Sequence, residues 1–200
     1  DLMEVSRITR GKIELQLAEL TLAQVIRDAV ELSRPLMEAR KHNLALNMPD
    51  ASLAVEGDSV RLTQVFANLL NNAAKYTPEG GTVEVFLEQG DHGDAVVRVK
   101  DSGTGIPSAM LDAIFDMFVQ VSDTARAAQG GLGIGLTLVK SLVELHGGSV
   151  DARSAGIGHG SEFVVSLPLL GRGVKAGTRP GVDAEAAAAP ERSSERAGRT

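Results

Sequence analysis

The chain has no cysteine and no tryptophan, and only one tyrosine and five phenylalanines among 200 residues. Without cysteine there is no disulfide and no thiolate metal site, so a reducing compartment is permitted. So few aromatic faces argue against a platform that stacks nucleic-acid bases. Lysine and arginine number 20 against 26 aspartates and glutamates, a formal charge of −6, and no long basic stripe interrupts that balance. Nucleic acid and anionic membrane are therefore not expected partners. Charges break every apolar run well before the roughly 18 residues that a membrane span requires. The first residues lack the charged stretch and apolar core of a secretory signal, and the chain reads as a piece of a longer protein.

What is present is 43% hydrophobic residues, enough to bury a core in one or two domains. "DLMEVSRITRG" has helical spacing at Leu2, Val5 and Ile8, with Gly11 as its stop. So short a helix does not stand alone, which makes residues 1–11 the expected end of a longer one. "KIELQLAEL" alternates like a short strand, and Thr21 is placed to cap a helix striped by Leu22, Val25, Ile26, Ala29 and Val30. Pro35 is expected to kink or interrupt that helix. "NLALNM" and "LAV" at 53–55 read as strands.

Asp58 can cap the next helix, with Leu62, Val65, Phe66, Leu69, Leu70 and Ala73 facing inward. "TVEVFLEQ" and "AVVRVKD" form a strand pair around the turn "GDHGD". A short helix is expected within 107–119, and a loop without period from Gln120 to Gly131. Gly133 should open a helix running to His146, with Gly147 as its C-cap. "SVDARS" and "SEFVVSLP" then close the sheet as a hairpin. Residues 171–200 carry six basic and four acidic residues and a run of four alanines, a composition expected of a disordered linker or tail. The pattern implies a two-layer α/β sandwich, one mixed sheet with helices on a single face.

Three stretches carry chemistry. In "NLLNNAAKYT", Gln64, Asn68, Asn72 and Lys75 share one side of the helix, because residues three and four apart are neighbours. Amide oxygens are hard ligands without charge, suited to a magnesium ion that keeps its waters and substrate phosphates. Lys75 could neutralise phosphate. A solvated helix face with a lysine at its C-terminal dipole explains the same residues. "DSGTGIP" places Asp101 at a strand end beside two glycines, Gly103 and Gly105. A buried carboxylate there accepts only, favouring an exocyclic amino group over a carbonyl; an ordinary turn is the competing explanation. "GGLGIGL" exposes backbone N–H groups at a helix start, either a phosphate cradle or a flexible hinge. It has neither P-loop nor dinucleotide-binding spacing.

Taken in order, these motifs resemble the catalytic ATP-binding domain of sensor histidine kinases, in the superfamily shared with gyrase, Hsp90 and MutL. The likeness covers roughly residues 1–170 and implies a Bergerat-type ATP-binding fold. By that resemblance Asn72 is the magnesium ligand, and Asn68, Lys75 and Tyr76 are nucleotide-site positions on the same helix. Asp101 would meet the adenine amino group, with Gly103, Gly105 and Ile106 in the first glycine box. "IFDMFVQ" is similar to the phenylalanine box through Phe115 and Phe118. Gly131, Leu132, Gly133, Ile134, Gly135 and Leu136 match the second glycine box. "GIGHGSEF" matches the last glycine turn, with Ser161 near the adenine side. The chain departs from the family at Asp116-Met117, where Glu-Pro is usual, and at Leu132, where Thr or Ser is commoner. Arg126 is a further candidate cation in the loop.

The resemblance implies ATP and Mg2+ as ligands, with Asn68, Asn72 and Lys75 carrying the chemistry. It implies transfer of the γ-phosphate to a histidine on an upstream dimerisation helix, followed by a response regulator receiver domain as partner. None of His42, His92, His146 and His159 fits the acceptor motif, so each is expected to be structural or solvated. Residues 1–11 would end the second dimerisation helix, 12–170 form the catalytic domain and 171–200 the tail. The location is expected to be cytoplasmic and the parent a homodimer. Two alternatives stand beside this: an ATPase of the gyrase, Hsp90 and MutL kind, and a non-catalytic nucleotide-binding module.

Overall fold

The structure is a computed structural model that describes residues 14–48, 53–91, 93–119 and 133–170. The N-terminal stripe of Leu2, Val5 and Ile8, His92, the loop from Gln120 to Gly131 with Arg126, Leu132, and the tail from Gly171 lie outside the described residues.

β1 (Ala18–Thr21) leads into α1 (Leu22–Ala39), followed by β2 (Asn43–Asn47) and β3 (Ala54–Gly57). α2 (Ser59–Tyr76), β4 (Thr82–Gln89) and β5 (Asp94–Asp101) come next, then a short 3-10 turn at Ser108–Met110. α3 (Gly135–Leu145), β6 (Ser149–Arg153) and β7 (Ser161–Pro168) complete the described chain. The main sheet has five strands in the order β2-β4-β5-β7-β6. β2 runs parallel to β4 and the other pairs are antiparallel, so the sheet is mixed as expected. β1 and β3 form a separate antiparallel ribbon, joined to the end of β7 by a bridge between Val55 and Leu169.

Strand register explains the two layers. Val85 pairs with Val99 and Val99 with Phe163; Leu87 pairs with Val97 and Val97 with Val165. Side chains alternate across a strand, so these residues line one face and are buried. Glu84, Arg98, Lys100 and Glu162 occupy the opposite face. There Arg98 is bracketed by Glu88 and Glu162. On the apolar side, α1 packs along α2, α2 against β4 and β5, and α3 against α2 and β6. Leu62, Val65, Phe66, Leu69 and Leu70 of α2 join Leu138, Val139, Leu142 and Val143 of α3 in one core. Burying such side chains stabilises by about 1.5–3 kcal/mol each.

Three expectations need correction. α1 is not interrupted at Pro35 but runs on to Ala39. Pro35 removes the partner of the Glu31 carbonyl, and both residues lie on the water-facing side, where that carbonyl can be solvated. Residues 14–17 carry no regular structure, so among the described residues of "KIELQLAEL" only the last three are strand. Gly133 does not open α3: its φ of +68° is left-handed, and the helix starts at Gly135. At the other end His146 is the cap. Gly147 follows with φ +72°, donating to Glu144 O while Gly148 donates to Val143 O, both at 3.0 Å, a Schellman ending. Among the described residues no helix is long and apolar enough to cross a membrane.

Candidate functional site

α2 is set by the residue that caps it. Asp58 has extended backbone, and its Oδ1 accepts from the N–H groups of Val60 and Arg61 at 3.1 and 3.2 Å. Burial pushes this carboxyl up, but the N–H groups of Gln16, Arg61 and Val60 and the Arg61 charge outweigh it and hold the pKa below its ordinary value. With the apolar side of α2 in the core, Gln64, Asn68, Asn72 and Lys75 emerge half-buried on the other side. Asn68 and Asn72 are one turn apart, about 6 Å along the axis.

That stripe faces the start of α3. A Cβ added at Gly135 would sit 3.6 Å from Asn68 Oδ1, so the amide oxygen lies over the first turn of that helix. Ile134, buried at the N-cap position, supplies no side-chain hydrogen bond to the turn's amides. Leu136 packs half-buried on the core. Just upstream, Gly133 O accepts from Phe118 N at 3.0 Å, and a Cβ on Gly133 would press to 2.9 Å from Phe118 Cα. Phe118 has φ +66° and is 64% exposed. Phe115 instead enters the core edge-on to Phe163, with centroids 6.4 Å apart. Gly131 and Leu132 fall outside the described residues.

The C-terminal end of α2 meets the turn after β5. Tyr76 O accepts from Thr104 N at 3.1 Å, and a Cβ on Gly103 would stand 2.7 Å from Tyr76 O and 2.5 Å from Asp101 Oδ1. Only glycine fits there. Lys75 extends its ammonium to 4.9 Å from the Tyr76 ring centroid. Two further residues hold this end: Arg40, which the sequence reading did not single out, donates to Lys75 O at 3.1 Å, and His42, expected to be structural or solvated, has its Nε2 2.9 Å from Ala74 O. A carbonyl only accepts, so Nε2 carries the proton.

Asp101 closes the arrangement from the sheet. In register with Ser161 across β5 and β7, it shares the inner face with Val99 and Phe163 and is 5% exposed. Burial raises its pKa above the ordinary value, opposed by bonds from the Ser161 hydroxyl and from the Gly103 and Ser161 amides. Oδ1 accepts from Gly103 N at 2.7 Å and Oδ2 from Ser161 Oγ at 2.5 Å. A carboxylate offers about four lone-pair sites, so acceptor capacity remains for a donor on a ligand. Ile106, buried, bonds through its N–H to Ser154 Oγ, another residue the sequence reading did not single out.

The structure thus brings Asn68 to the start of α3 at Gly135 and joins the Tyr76 backbone, Asp101, Gly103 and Ser161 at a second contact, with Asn72 and Lys75 on α2 between Asn68 and Tyr76. Among the described residues no cluster of three or more His, Cys, Asp or Glu side chains could cage a metal. The oxygen donors on α2 are neutral amides, which fits an ion held jointly with a ligand's phosphates.

The chain is similar to several known proteins. Residues 57–171 match the family model described as "Histidine kinase-, DNA gyrase B-, and HSP90-like ATPase". The autoinducer 2 sensor kinase/phosphatase LuxQ of Vibrio parahaemolyticus is 38% identical over 177 residues, covering 86% of this chain and 20% of that protein. The chain therefore spans about a fifth of the length of that relative. The mycobacterial sensor histidine kinase MprB superposes with a TM-score of 0.66 at 29% identity, covering 76% of this chain and 97% of that one. Full-length ShkA in complex with AMPPNP gives 0.72 at 29% identity, over 84% of this chain and 34% of that one.

Proposed function

Because the chain belongs to the family of histidine kinase-, DNA gyrase B-, and HSP90-like ATPases, we propose that it is the ATP-binding catalytic domain of a two-component sensor histidine kinase. It holds ATP so that the γ-phosphoryl passes to a histidine on an upstream dimerisation helix, the end of which is residues 1–11. Residues 12–170 are the catalytic domain and 171–200 a tail. The parent is a homodimer that hands the phosphoryl to a response regulator receiver domain.

The adenine end rests against Asp101, whose free acceptor sites take the exocyclic amino group. Gly103 and Gly105, each pressed against neighbouring protein atoms, shape the turn that carries Asp101, with Ile106, Tyr76 and Phe118 beside the base. The phosphates reach the uncapped amides of α3 and the stripe of Asn68, Asn72 and Lys75. Asn72 would hold Mg2+ together with the phosphates, and the ion would supply neutralisation of phosphate charge. The lone pair of the acceptor imidazole forms the N–P bond while the bond from γ-phosphorus to its bridging oxygen breaks, and ADP leaves. Lys75 and the amides around Gly133 and Gly135 stabilise the charge that moves onto the oxygens.

One observation favours the kinase over an ATPase. Hydrolysis needs a group that activates water, and α2 (SVRLTQVFANLLNNAAKY) contains no carboxylate. Gln64, on the stripe, is engaged by Arg61 at 3.0 Å.

The test is phosphotransfer from ATP–Mg2+. The chain alone should acquire no acid-labile phosphohistidine, and a supplied histidine-bearing dimerisation domain should acquire it. Robust phosphate release without a histidine substrate would support the ATPase instead. Tight ATP binding without transfer would support the non-catalytic module.

A further inference from the structure

A single hydroxyl, Ser154 Oγ at the end of β6, stands where two glycine-rich turns meet. It accepts from Ile106 N at 3.0 Å and from Gly156 N at 3.2 Å. Its one proton can go to Gly160 O at 2.7 Å or Gly156 O at 3.4 Å, and the shorter contact takes it. A serine hydroxyl has one donor and two acceptor sites. All are used.

The two turns are in unusually close contact around it. Gly158 N donates to Thr104 O at 2.7 Å and Gly160 N to Gly103 O at 3.0 Å. A Cβ on Gly105 would lie 2.1 Å from Gly156 O, and one on Gly160 would lie 2.0 Å from Asp101 O. The 156–160 turn therefore sits directly on the backbone that carries Asp101. Ser161, the next residue, gives its hydroxyl to Asp101 Oδ2.

We propose that Ser154 is a specificity-determining positioning residue for the nucleotide base. By tying Ile106 to Gly160 it fixes the last glycine turn against the Asp101 turn, and so sets the Ser161–Asp101 pair in the geometry that selects an amino group. The inference rests on the reading of Asp101 given above. Removing the hydroxyl leaves the buried Ile106 amide and the Gly160 carbonyl without this partner. The turn then gains freedom, and the carboxylate loses the fixed direction that discriminates among bases.

Calorimetric titration of the full chain with ATP and with inosine triphosphate, which carries a carbonyl where adenine has its amino group, reads this directly. Wild type should prefer ATP. Ser154→Ala should bind ATP about tenfold more weakly or worse, with inosine triphosphate changed less than about twofold, and Ser154→Thr, which keeps the hydroxyl, should restore the preference. Should the alanine variant fail to fold, Ser154→Cys, similar in volume but a weak donor and acceptor, is expected to show the same loss of preference. An unchanged ATP-to-inosine ratio in a variant lacking the hydroxyl, even with both affinities lowered, would make Ser154 merely structural and overturn the proposal. A folded wild type that binds neither nucleotide, or both equally, would overturn the reading of Asp101 itself, and this inference with it.

Discussion

Asp58 and His146, 88 positions apart, meet in the interior, where the Asp58 backbone N–H donates to His146 Nε2 over 3.0 Å. His146 Nδ1 lies 2.7 Å from Leu142 O. An amide N–H can only donate and a carbonyl only accept, so the ring is neutral with its proton on Nδ1. The bond clamps the start of α2 to the end of α3. Both helices are thus pinned at the ends remote from the contact between Asn68 and Gly135, which fixes how α3 presents its first turn to the amide stripe.

Asp58→Ala should remove the cap of α2 and the bond to Gln16 N. The expected cost is about 1–2 kcal/mol by chemical denaturation. Because the folded pKa of Asp58 is lowered, its contribution is present above the ordinary carboxylate value of about 4. It fades as pH falls through the folded value. The variant's stability should therefore change less with acid than the wild type's.

Asp101 has the opposite sign. Its folded pKa is raised, so the folded chain takes up a proton more readily than the unfolded one. This residue's share of stability falls as pH rises from the ordinary value through the folded value, then levels off. ATP needs the ionised form as acceptor, so affinity should weaken on acidification at a higher pH than an ordinary carboxylate would give. In Asp101→Asn this component of the pH profile should vanish, and ATP affinity should drop by about 10–100-fold. Titrations over a pH series for both proteins check it.

Asn72→Ala should leave the melting temperature nearly unchanged, because the side chain is half-buried and off the core. ATP affinity measured with magnesium should fall about tenfold or more. Chelating magnesium should weaken the wild type but have little further effect on the variant.

Gly160→Ala puts a methyl group 2.0 Å from Asp101 O, at a φ of +70°. Strain and crowding together should destabilise by about 2 kcal/mol or more. A thermal melt would show the loss, and weaker ATP binding should accompany it.

Much of this was legible in the sequence where it depends on local pattern. The cap at Asp58, the two sides of α2 and the inward residues of β4 and β5 follow from periods of 3.6 and 2, and the glycine motifs marked where backbone comes close. Contacts made across the chain left no such trace. Arg40 on Lys75 O, His42 by Ala74 O, Ser154 on Ile106 N and His146 on Asp58 N span 35, 32, 48 and 88 positions. A serine at a strand end or a histidine at a helix end has no distinctive spacing. Pro35 misled for a related reason, since its tolerance depends on which side of α1 meets water.

The lack of any acidic residue on α2 bears on idleness. A triphosphate lying along that helix would find no carboxylate on it to activate water. Waiting in the loaded state would then dissipate little of the anhydride's energy, and discharge would be timed by the arrival of an acceptor rather than by an internal clock.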